Sequence, residues 1–174
     1  MNRRIFIAST AGVGILAALG TASWCVIPEN ADDLSIASLV NRLKAMQKQD
    51  IVFASSWTSF QCFNHMAQSV EYSMTGYPEH KSDLFKTVVG TAAFTAFSNK
   101  GYMKHNLEEA IPGAPELIVQ GDTKESIQRL IDALVTFENF SGELAPHFAY
   151  GGLTKAEYAL AHVLHANDHF TQLV

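Results

Sequence analysis

From about residue 32 to the C-terminus, apolar residues recur at the spacing of a helix rather than that of a strand. Asp32-Asp33-Leu34-Ser35 offers caps for a first helix reaching about Gln49, with Leu39, Leu43 and Met46 on one stripe. Ser55 to Ser59 offers caps for a second, which Gly76 and the following Tyr77-Pro78 bring to an end. A third starts around His80-Lys81-Ser82-Asp83, carries Leu84, Val88, Val89, Phe94 and Phe97, and stops at Asn99-Lys100-Gly101. The next twenty or so residues hold Pro112, Gly113 and Pro115 and read as a long loop, a kind of segment that often covers a site. Asp122-Thr123-Lys124-Glu125 opens a fourth helix through Phe137. After the stop at Gly151-Gly152, Thr154 and Glu157 have the spacing of a capping box, and a last helix runs nearly to Val174. Few segments alternate with period two. The expectation is an all-α bundle of four or five helices, in one domain over residues 32–174.

The first residues follow a different pattern. Met1-Asn2-Arg3-Arg4 is basic, and Ile5 through Ile27 carries no charged side chain. Basic start, apolar run and small residues such as Gly20-Thr21-Ala22 read as an export signal over residues 1–25. Asn2-Arg3-Arg4-Ile5-Phe6-Ile7 resembles a twin-arginine signal, with Asn2 in place of the usual Ser. The run is also about long enough to stay as a membrane anchor, since roughly 20 apolar residues span a bilayer. Lipoprotein processing at Cys25 is disfavoured by the bulk of Trp24. The expected location is therefore outside the cytoplasm, periplasmic or membrane-tethered.

Composition narrows the functional classes. With 174 residues, 48% of them hydrophobic, the chain can bury one good core. Its 12 basic and 17 acidic residues give a net charge of −5, and −7 once Arg3 and Arg4 leave with a signal. That balance argues against a nucleic-acid partner. Two cysteines make no disulfide framework, and Cys62 reads as a small buried hydrophobe.

Histidine is where the sequence points to chemistry. Three of seven lie in His162-Val163-Leu164-His165-Ala166-Asn167-Asp168-His169. At about 100° per residue they share one side of a helix, with Tyr158 between them and Leu160, Val163 and Phe170 towards the core. Two imidazoles at i, i+4 can share one metal ion, which selects His165 and His169 and leaves His162 a supporting role. His65, on the second helix, would supply a third ligand, and Gln61, Gln68, Ser69 and Tyr72 share its face. That stripe suits either a wet cavity or a solvent face. Asp168 points away from the histidine side, near −120° from His162 by the same arithmetic of about 100° per residue. His80, His105 and His147 fall in helix-start or loop contexts and read as solvated. The pattern is not His-Glu-x-x-His, because Ala166 follows His165 and no general base adjoins the pair.

Two stretches resemble a known family: Trp57-Thr58-Ser59-Phe60-Gln61-Cys62-Phe63-Asn64-His65-Met66-Ala67-Gln68-Ser69 with Glu71 to Gly76, and Leu153 to Tyr158 through His165-Ala166-Asn167-Asp168-His169-Phe170-Thr171-Gln172-Leu173. They are similar to the DinB-like (YfiT-like) metalloenzymes, in a branch known only as a domain of unknown function. The resemblance implies an up-down four-helix bundle with a long crossover, in which His65, His165 and His169 hold a divalent ion, zinc or nickel. Asp168 and Ala166 stand where many relatives have His and Glu. The wider superfamily implies a metal-dependent hydrolase or a thiol-dependent transferase acting on a small-molecule substrate, and export weakens the thiol reading because such cofactors are cytosolic. Gln61, Tyr72 and Tyr158 are candidates for orienting a substrate. Bundles of this type often form homodimers. The alternative is a non-catalytic metal-binding or structural bundle.

Overall fold

A computed structural model describes residues 34–174. The expected export signal or anchor lies outside the described residues. Those residues are helical without a strand: α1 (Ile36–Met46), α2 (Ser59–Thr75), a short α3 (Asp83–Phe85) leading through a π turn (Lys86–Gly90) into α4 (Thr91–Lys100), then α5 (Thr123–Asn139) and α6 (Lys155–Phe170). Two isolated antiparallel bridges, Phe53 to Leu173 and His147 to Gly151, fasten connecting segments.

The helix ends follow the local signals. Ser35 and Asp122 accept hydrogen bonds from Ser38 and Lys124 backbone N–H groups, and Thr58–Gln61 and Thr154–Glu157 close complete capping boxes. Gly101 ends α4 at φ 70°, in the left-handed region that favours glycine.

α2 packs along α5, α1 against α5 and α6, α2 against α6, and α4 against α6. Leu39, Leu43, Phe63, Met66, Leu130, Leu134, Phe137 and Tyr158 form the centre of the shared core. Arg129 on α5 donates to both carboxylate oxygens of Glu71 and to Asn64 Oδ1 on α2, fixing the register of that pair. Lys155 Nζ donates to the carbonyls of Glu138 and Phe140, tying the start of α6 to the end of α5.

The third helical segment departs from expectation. Leu84, Val88 and Val89 are 75%, 59% and 50% exposed instead of joining an apolar stripe with Phe94. The π turn resets the helical phase, so residues before and after it no longer share a face. Gly90 fits against the backbone of the 147–151 turn, where a Cβ would collide with the Ala149 carbonyl oxygen.

Candidate metal centre

His65 projects from the middle of α2, and His165 and His169 from the last turns of α6. The long loop 101–122 adds His105, which is drawn into the interior rather than solvated as its loop position predicts. One ring nitrogen from each of the four lies within 4.8 Å of every other, a group that can hold a metal ion. His165 Nε2 and His169 Nε2 are 3.1 Å apart, as i, i+4 spacing on one helix face allows. Ring centroids of His65 lie 5.1 Å from His165 and 5.2 Å from His169; those of His105 lie 4.8 and 5.2 Å away.

The donor set fits a divalent transition metal. His65 Nδ1, His105 Nε2 and His169 Nδ1 are buried without a hydrogen-bond partner, a costly state for polar atoms. Burial, and then the neighbouring His105, hold His65 down to about 4. Burial and the other histidines likewise depress His165 and His169. These rings are therefore neutral at pH 7 and keep the lone pairs that a metal needs, with no proton to displace.

Asp168 is the second feature the sequence reading did not anticipate. Its carboxylate is buried and accepts from both the backbone N–H and Nδ1 of His105, at 3.0 and 2.8 Å. In the neutral ring this contact places the proton on Nδ1 and leaves the Nε2 lone pair for the cluster. A helical wheel places Asp168 away from the histidine side correctly, but that direction is covered by the loop carrying His105.

The remaining candidates fall into distinct places. The polar stripe of α2 faces inward at His65, Gln68 and Ser69, all buried, which decides between cavity and solvent in favour of the interior. His162 is buried, stacks on Tyr158 and lies 3.3 Å from Ser73 Oγ, outside the four-histidine group. His147 is buried rather than solvated, because its Nδ1 accepts from the backbone N–H groups of Ala149 and Tyr150 in a tight turn. His80 is exposed. Gln61 serves its capping box and approaches the Leu117 carbonyl, Tyr158 donates to the Ala145 carbonyl, and Tyr72 packs on Tyr77. Cys62 is fully buried, its thiol pushed up to about 11 by that burial, and stands apart from the histidines.

A cavity of about 350 Å³ opens beside the cluster, with His65, His105 and His165 among its lining residues. Its other walls include Phe85, Met103, Ile111, Phe148 and Tyr150, and its charged lining residues are Lys81 and Glu109. Gln61, Tyr72 and Tyr158 do not line it.

Among known proteins, no curated protein and no solved structure matches the chain. One family model does, over residues 30–174, and thus includes all four clustered histidines and Asp168. The chain belongs to that family, described as protein of unknown function (DUF1569).

Proposed function

We propose that this is an exported metalloprotein in which His65, His105, His165 and His169 hold one divalent transition metal, zinc or nickel, within a DinB-like four-helix bundle formed by α1, α2, α5 and α6. The observation that carries the reading is the convergence of four imidazoles, three with a buried orphan nitrogen, from two helices and a loop. A bound ion of this kind supplies Lewis acidity, polarising a carbonyl or acidifying a thiol or water. The chain's own residues do the rest. Asp168 orients the His105 ring, and Glu109 is the carboxylate in the cavity lining. The reaction class that suits this arrangement is metal-dependent hydrolysis or thiol transfer on a small molecule, and the cavity beside the cluster is what favours catalysis over storage.

A second reading has one observation in its favour. Four nitrogen ligands complete a tetrahedral shell, as in closed structural sites, whereas catalytic zinc keeps a position open. A non-catalytic metal-binding bundle would use all four histidines equally.

Metal analysis of untagged protein separates these readings. The wild type is expected to carry one ion per chain, and His165→Ala to carry none. His105→Ala is expected to keep an ion held more weakly, because three histidines still ligate and the fourth position can open to substrate; complete loss of the ion would favour the closed, non-catalytic site. If neither wild type nor variant holds metal, both readings fail. With metal in place, Glu109→Gln is expected to keep the ion and lose at least tenfold in turnover on hydrolase or thiol-transferase substrates.

A further inference from the structure

The loop 101–122 buries two of its residues, Met103 and Ile111, at 5% and 4% exposure, and both line the cavity beside the histidines. Neither belongs to the main apolar core. Apolar side chains are normally buried against other side chains at close-packed density. Met103 and Ile111 nonetheless both border a cavity of about 350 Å³. Aromatic side chains share the lining: Tyr150 stacks on His147 with ring centroids 4.3 Å apart and planes 9° from parallel, and its hydroxyl lies 4.0 Å from Met103 Sδ. Phe148 and Ala161 extend the same lining. The polar lining includes three cluster histidines, His147, His162 and Ser69, and the exposed Lys81 and Glu109 side chains.

We propose that this cavity binds a small, largely apolar molecule, an aryl or short-alkyl compound, with its one polar group at the histidine cluster. The volume lies at the small end of the roughly 300–1,000 Å³ typical of small-molecule sites, room for a single ring or a short chain with its head group. The polar end rests on the metal reading above; the apolar end rests on the cavity alone.

Two hydroxamates and one neutral amide test it. On zinc-loaded protein, benzohydroxamate is expected to bind at least tenfold more tightly than acetohydroxamate by calorimetry. Ala110→Trp, an exposed lining position, should erase that difference while leaving zinc content and acetohydroxamate affinity unchanged. On metal-free protein, benzamide should shift the methyl resonances of Met103 and Ala161, and Ala110→Trp should abolish the shifts. Equal hydroxamate affinities together with absent benzamide shifts would overturn the proposal while zinc stoichiometry left the metal reading standing. Benzamide shifts in a chain that takes up no zinc would instead retain the apolar chamber and defeat the metal reading.

Discussion

A single carboxylate decides which way His105 faces. Asp168 accepts a hydrogen bond from Nδ1 at 2.8 Å, and the ring packs against those of His165 and His169. Asp168→Asn is expected to weaken metal binding about 10- to 100-fold, the usual cost of losing a carboxylate behind a ligating histidine. Chelator competition measures this, and an unchanged affinity would remove Asp168 from the site. The His165–His169 pair was legible because helical periodicity alone puts residues four apart on one face. His65 was legible from the polar stripe on its own helix together with the family resemblance, not from spacing to that pair. His105 and His147 were not, since loop residues have no period and His105 meets its partner across 63 positions of sequence. Composition and spacing carry no trace of such a contact.

Among the elements, the segment from α3 to α4 shows where periodicity misleads. Its apolar residues predict one continuous buried helix, and the helix does form, but a π turn divides its face in two. Nothing in Lys86-Thr87-Val88-Val89-Gly90 marks a π turn locally; the close fit of Gly90 on the 147–151 turn accompanies it, and that contact is tertiary. Gly90→Ala should therefore cost about 1–3 kcal/mol, because the obstructing atom is a backbone carbonyl that cannot swing aside. A melting temperature equal to wild type would show that the turn adjusts freely. The capping boxes, by contrast, were readable from four-residue strings, since their partners lie three positions apart. Thr154→Ala is expected to lose about 1 kcal/mol in chemical denaturation.

On the scale of the whole molecule, buried neutral histidines make stability depend on pH. Burial, and then His162 and His80, hold His147 down to about 3, whereas an unfolded chain protonates it near the ordinary value of about 6.5. Between those values the unfolded state binds the extra proton, so stability is full above pH about 6.5 and falls as pH drops toward 3. At pH 5 this residue alone accounts for about 2 kcal/mol. In metal-free protein the urea midpoint should hold steady above neutrality and decline below pH about 6.5. His147→Gln should show a shallower decline, and a midpoint flat to pH 4 would mean that water reaches the ring. The general architecture was legible because helices, caps and breakers are local; which helices and loops meet was not. Loop 101–122 is one of those meetings, held by His105 to a carboxylate and to the rings of α6. An ion seated there would work as a clasp, closing the loop over the cavity and restricting ligand passage while the metal stays. Removing it with a chelator should make the exposed Lys104, beside the clasp, a preferred point of tryptic cleavage, so the fragment pattern on a gel would report occupancy of the centre without any knowledge of the reaction.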